Sequence, residues 1–106
     1  TFLPERLRYN EVAFVIMGIM QYSVIDVREP EEYQRGHVAG ALNIPPRELM
    51  KDAEQLAGLP KNTNIIVYCR TGSRSNVAMN ILSSLGFTNI VNGINKEQVE
   101  AKYGIK

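Results

Sequence analysis

Ile65-Ile66-Val67-Tyr68-Cys69-Arg70-Thr71-Gly72-Ser73-Arg74-Ser75 runs from the most β-prone stretch of the chain, through a turn containing glycine, into a segment of different periodicity. Downstream, Val77, Ala78, Ile81, Leu82 and Leu85 recur at three- and four-residue spacing, and Gly86 follows them. The β-branched run predicts a buried strand. The spacing predicts a helix that begins near Ser75, with Gly86 supplying its left-handed stop. An apolar helix face needs a sheet to cover, and strands joined by helices pair in parallel through right-handed crossovers.

The same alternation extends outward in both directions. Tyr22 to Val27 reads as a buried strand, Ala41-Leu42-Asn43-Ile44 as a short one, and Thr88 to Val91 as a weaker fourth. Pro30 suits the first turn of a helix running to Arg35, where Gly36 stops it. Pro46 opens another through Leu49, Met50, Ala53 and Leu56. The segment Arg8 to Met20, whose apolar run Val12 to Met20 includes Gly18, is read as a helix contributing to the core. The expected fold class is α/β, a small three-layer α/β/α domain with a central parallel sheet, and residues 1–106 are read as one such domain.

Composition agrees with this size of fold. The chain has 106 residues, 44% hydrophobic and 22% charged, which suits one domain with a modest core and excludes disordered and collagen-like classes. Its net charge of +1 hides an asymmetry: Thr1 to Glu54 hold six basic and nine acidic residues, whereas Gln55 to Lys106 hold six and two. No acid occurs between Glu54 and Glu97, so a pocket built from that stretch, which contains Arg70 and Arg74, favours small anions. No run of Lys and Arg with interleaved aromatics exists to track a nucleic-acid backbone. The apolar run Val12 to Met20 is far short of the roughly 20 residues needed to cross a bilayer, so no membrane partner is expected. One cysteine, Cys69, excludes an internal disulfide, and one histidine, His37, leaves too few soft ligands for a zinc site. Neither metal nor cofactor is called for, and a reducing compartment, the cytoplasm, is the expected location.

In an open parallel sheet, ligands bind where strands end and helices begin, and Cys69 stands at that edge. A lone cysteine at a strand end is ordinarily just a small apolar residue. Two arginines within five residues of it, with Gly72 between them at a strand-to-helix turn, point instead to chemistry. The loop can curl so that backbone N–H groups converge, and the start of the following helix adds free N–H groups and a positive dipole end. Both favour a thiolate, so Cys69 is expected to be a low-pKa nucleophile that needs no general base. Arg70 and Arg74 supply fixed charge, while Thr71, Ser73 and Ser75 offer hydroxyls to a charged sulfur or an oxyanion. His37 is read as cross-linking a turn. Met17, Met20, Met50 and Met79 are read as core.

These residues resemble the single-domain rhodanese, or thiosulfate sulfurtransferase, family. Ile25-Asp26-Val27-Arg28-Glu29-Pro30-Glu31-Glu32-Tyr33, Gly36-His37-Val38-Ala39-Gly40-Ala41 and Asn43-Ile44-Pro45 look like its first signature, and Val67 to Ser75 look like its active loop. The resemblance implies that Cys69 takes a sulfane sulfur from a small anionic donor such as thiosulfate, becomes a persulfide, and passes the sulfur to a thiol or to cyanide. It implies an anion cradle formed by Arg70, Thr71, Gly72, Ser73, Arg74 and Ser75. Asp26 and Arg28, two residues apart at a strand end and so on one face, either line the pocket or support it, and are read as supporting residues, with Asp26 bonding loop N–H groups and Arg28 pairing with Glu32 or a neighbour. The alternative is a sulfur-relay or regulatory module serving a protein partner. Related phosphatases and arsenate reductases separate the cysteine from the gripping arginine by five residues. Only four separate Cys69 from Arg74, a ring suited to a single sulfur anion.

The chain also departs from the family. Asn92-Gly93-Ile94 stands where two consecutive glycines are usual, and there is no tryptophan. Asn92 is expected to take the left-handed turn conformation, and Val99 and Tyr103 to supply the missing C-terminal packing.

Overall fold

The computed structural model describes residues 22–51 and 54–105. Among these residues four strands alternate with four helices: β1 (Tyr22–Asp26), α1 (Pro30–Arg35), β2 (Leu42–Asn43), α2 (Pro46–Lys51), β3 (Asn64–Cys69), α3 (Ser73–Ser84), β4 (Asn89–Asn95) and α4 (Lys96–Tyr103). A 3-10 turn, Glu54–Leu56, lies between α2 and β3. The strands form one sheet in the order β2-β1-β3-β4, and every pairing is parallel. This is the α/β arrangement that the alternation predicts.

Successive residues of a strand face opposite sides, and β3 uses both. Ile65, Val67 and Cys69 join a core with Ile25, Val27, Leu49, Ala78 and Leu82 on the side covered by α2 and α3. Ile66 and Tyr68 join Val24, Val38 and Val99 on the other, where Tyr33 of α1 and Tyr103 of α4 also pack. Val99 and Tyr103 thus occupy the C-terminal packing position, as expected. From β1 the chain moves to β2 on one side, and from β3 to β4 on the other. The crevice outside the carboxyl ends of β1 and β3 is therefore the topological switch point where such sheets take ligands.

Several expectations need correction. The helix opened by Pro46 ends at Lys51 and Leu56 is buried in the 3-10 turn, while Ala53 lies outside the described residues. Met50 is 73% exposed beside the buried Leu49, because six residues of helix present only one narrow face to the core. The helix after Cys69 begins at Ser73, two residues early, and its inward stripe is Ser75, Ala78 and Leu82. Val77, about 200° around the helix from Ser75, is exposed, as is Leu85. Met79 packs on the core as expected. The expected helix over Arg8 to Met20, with Met17 and Met20, lies outside the described residues.

β4 runs four residues beyond Val91 because it carries a bulge. Val67 pairs with Asn92 and Tyr68 with Ile94, leaving Gly93 as the extra residue. The positive φ at this turn belongs to Ile94, at 76°, and not to Asn92. Gly93 is required for a different reason: a Cβ there would lie 2.5 Å from Val99 Cγ2 and 2.9 Å from Ile66 Cγ2, both in the core. Gly93→Ala is expected to destabilise the domain by about 1–3 kcal/mol, the usual cost of overpacking. Urea unfolding measures it, and an unchanged midpoint would mean that the bulge relaxes freely.

Candidate active site

Cys69 closes β3, and the chain turns sharply over Arg70, Thr71 and Gly72 before α3 begins. Gly72 permits the turn by adopting φ 97°, a conformation costly for any side chain-bearing residue. The turn folds back on the sulfur. Gly72 N–H donates to Cys69 Sγ at 3.1 Å, and Ser75 Oγ lies 3.5 Å from the same atom. Burial alone would raise the Cys69 thiol pKa. The Ser75 hydroxyl and the N–H groups of Ser75, Gly72 and Thr71 outweigh it and bring the pKa from 9.0 down to about 7.

The sulfur faces a cavity of about 270 Å³ lined by Arg28, Arg70, Asn95, Lys96 and Glu97. A neighbouring hollow of about 350 Å³ shares Arg28, Arg70, Lys96 and Glu97 and extends to Glu32 and Arg35. Arg70 is exposed at the mouth and, among the described residues, has no ion-pair partner within the chain, so its charge is available to an incoming anion.

The rate of alkylation by a neutral reagent should follow the thiolate fraction. It is expected to rise about tenfold per pH unit at low pH and to level off through a midpoint near 7. A midpoint near the ordinary thiol value would remove Cys69 as an activated nucleophile.

The other loop residues divide into distinct roles. Thr71 and Ser73 hydroxyls contact each other at 3.4 Å, and both are exposed, so of the three hydroxyls only that of Ser75 reaches the sulfur. Arg74 does not turn toward Cys69. Its Nη1 and Nη2 donate to Glu32 Oε1 and Oε2 at 2.7 and 3.1 Å, a bidentate pair between α3 and α1. That pair holds the Glu32 carboxyl at a pKa of about 2, with the N–H of Glu29 adding to the effect.

Asp26 and Arg28 form a buried network beneath the site. Asp26 is fully buried and accepts from Arg28 N, Nε and Nη2 and from the Tyr68 hydroxyl, at 2.6 to 3.0 Å. Arg28 Nη2 also donates to Gly36 O, and Tyr68 Oη accepts from Val38 N. Arg28 pairs with a neighbour, as expected, and that neighbour is Asp26; Asp26 in turn accepts the Arg28 N–H and guanidinium and, among the described residues, no N–H of the active loop, while Glu32 is taken by Arg74. The β1–β3 register explains this by placing Asp26 opposite Tyr68, one residue before the nucleophile. His37 cross-links its turn as expected, with Nδ1 2.9 Å from Tyr33 O and its ring stacked on Tyr33.

Sequence reasoning missed two participants. Tyr68 reads as plain core, yet its hydroxyl completes the Asp26 network. Asn92 reads as a turn residue, yet its side chain contacts Ser75, Gly72 and Ile94. The available signal was a polar residue depleted from strands, sitting directly after Ile90-Val91.

Comparison with known proteins agrees with this architecture. The chain is 47% identical over 68 residues to the thiosulfate sulfurtransferase PspE of Escherichia coli, a match covering 64% of each chain. It is 36% identical over 70 residues to the putative sulfur carrier protein YrkF of Bacillus subtilis, covering 66% of this chain and 36% of that one. The alignments therefore span less than two thirds of these relatives. A solved structure described as a rhodanese with anions from E. coli superposes with a TM-score of 0.65 at 40% identity, covering 73% of this chain and 89% of that one. A rhodanese-related protein from Thermoplasma volcanium superposes with a TM-score of 0.61 at 35% identity, covering 89% and 92%. Residues 10–95 match the family described as the Rhodanese-like domain. With the parallel sheet, its switch-point crevice and the cysteine loop all in place, the chain belongs to the rhodanese-like domain family.

Proposed function

We propose that this protein is a sulfurtransferase that carries sulfane sulfur on Cys69. The observation that carries the reading is the Cys69 sulfur itself, held by the Gly72 N–H and beside the Ser75 hydroxyl at the start of α3, facing a cavity with Arg28, Arg70 and Lys96 on its wall. The similarity to a thiosulfate sulfurtransferase supports it. The Cys69 thiolate attacks the outer sulfur of a donor such as thiosulfate. A bond forms between the two sulfurs, the donor's own S–S bond breaks, and sulfite leaves with the electron pair. The acceptor, cyanide or a thiolate, then attacks the outer sulfur of the persulfide, and the Cys69 thiolate departs. The backbone donors compensate an anion on sulfur in both steps without moving.

Arg74 separates this reading from phosphate chemistry. Its guanidinium is committed to Glu32, so the arginine at the helix end of the loop does not close over a tetrahedral oxyanion, and the free Arg70 lies at the mouth. Arg70→Ala is expected to lower kcat/KM for anionic donors by about 1–3 kcal/mol, the range for charge-assisted contacts. Arg74→Ala should instead act mainly on stability. Steady-state kinetics with thiosulfate and an uncharged organic trisulfide as donors distinguish these. Equal losses on both donors would deny Arg70 an electrostatic role.

The function itself is tested by intact mass after incubation with thiosulfate, followed by cyanide. Gain of one sulfur atom, then its loss with thiocyanate formed, supports the reading. No added sulfur on folded protein, from thiosulfate or from a protein-bound persulfide, refutes it. Similarity to a putative sulfur carrier favours a second version of the same chemistry. A carrier loads rapidly from a partner's persulfide and slowly from thiosulfate.

A further inference from the structure

Ser75 has one hydroxyl proton and three acceptors around it. Asn92 Oδ1 lies at 2.7 Å, Gly72 O at 3.1 Å and Cys69 Sγ at 3.5 Å. The Asn92 amide has little choice of orientation: Oδ1 accepts the Ile94 N–H at 2.9 Å, while Nδ2 donates to Gly72 O at 3.1 Å. Toward Ser75 it therefore presents an acceptor only. At the shortest of the three distances, Asn92 holds the Ser75 proton while Cys69 is a thiol, which can itself donate to Ser75 Oγ. A sulfur anion has no proton to give. It gains the Ser75 hydroxyl as a donor only if that proton turns away from Asn92.

We propose that Asn92 is a positioning residue for the reacting sulfur: its amide oxygen competes with the sulfur anion for the single proton of Ser75. The same side chain ties the β4 bulge to the carbonyl of Gly72, whose N–H is the other close donor to the sulfur. This competition limits how deeply the loop stabilises the thiolate, and later the persulfide anion, so the sulfur stays reactive. The charged groups sharing the sulfur's cavity are Arg70 on the loop, Arg28 beyond β1, and Lys96 and Glu97 on α4, while Arg74 of α3, turned to Glu32, acts on the sulfur only through its charge. None of them contacts Asn92 through a hydrogen bond, and β4 itself contributes no charge, so substitutions at Asn92 and Ser75 isolate the proton.

The inference rests on Cys69 as the sulfur-carrying atom. Its test reads ionisation without a sulfur donor, so the two can fail separately. The pH midpoint of Cys69 alkylation by iodoacetamide is measured in the parent, Asn92→Ala, Ser75→Ala and the double variant, with thermal unfolding alongside. Asn92→Ala is expected to lower the midpoint by about half a unit or more by freeing the hydroxyl for the anion, Ser75→Ala to raise it, and Asn92→Ala to do nothing once Ser75 is absent. An unmoved midpoint in Asn92→Ala, or the same shift without Ser75, overturns the proposal. Should Asn92→Ala fail to fold, Asn92→Asp carries the test with the opposite sign. Its stronger acceptor must raise the midpoint further when Ser75 is present than when it is absent, and equal shifts overturn the proposal.

Discussion

Cys69→Ser should abolish sulfur loading while leaving the domain folded. A serine oxygen fits the space of the sulfur, still accepts the Gly72 N–H, and still meets the Ser75 hydroxyl, so no donor around it is orphaned. The chemistry does not survive the exchange. A hydroxyl stays protonated at neutral pH, and no other side chain can take over, since Cys69 is the only cysteine in the chain. Intact mass after thiosulfate treatment should show no added sulfur, with a circular dichroism spectrum and melting temperature close to the parent's. Residual turnover in a folded, uncontaminated variant would place the reacting group elsewhere.

Asp26→Ala is expected to cost about 3–5 kcal/mol, the range for removing one partner of a buried ion pair. That is comparable with the lower end of the total stability of small domains, about 5 kcal/mol. The size follows from what the carboxylate does. It accepts three donors from Arg28 and one from Tyr68 in a place with no exposure to water, and its loss leaves the guanidinium with only the Gly36 carbonyl. Asp26→Asn should lose less, because one amide oxygen remains to receive Arg28. Urea unfolding of both variants measures the difference, and a loss below about 1 kcal/mol, typical of an exposed pair, would mean that water or a new partner reaches Arg28. Sulfur transfer is expected to fall with stability here, since Tyr68 directly precedes the nucleophile.

The strand-to-helix passage at Cys69 was legible because a continuous apolar, β-branched run gives way to apolar residues at a period of 3.6, with Gly72 marking the junction. The paired arginines were legible as charge, but not their division of labour. Which arginine stays free depends on where Glu32 falls in space, 42 residues away in sequence, and spacing alone does not carry that information. The inward face of α3 was misread at Val77 and Leu85 for a related reason. A small polar residue, Ser75, occupies the buried stripe because it faces the sulfur, and this rotates the helix away from its most apolar side. Asn92 stayed hidden because a turn-forming residue and a hydrogen-bonding one look alike in sequence. The register slip that sends its side chain to Ser75 exists only once β3 and β4 are paired.

That slip also sets the rotational phase of the last helix. Seven residues of β4 run beside six of β3, and the surplus residue, Gly93, brings Asn95 level with Cys69. Asn95 caps α4 by accepting the Gln98 N–H, so the helix starts at the height of the nucleophile, with Lys96 and Glu97 on the cavity wall and Val99 turned down over Ile66. Losing one residue from this strand would leave the sheet its full set of strands. It would turn α4 by about 100° relative to the cavity, moving the side chains of its first turn off the wall and lifting Val99 from the core in a single step.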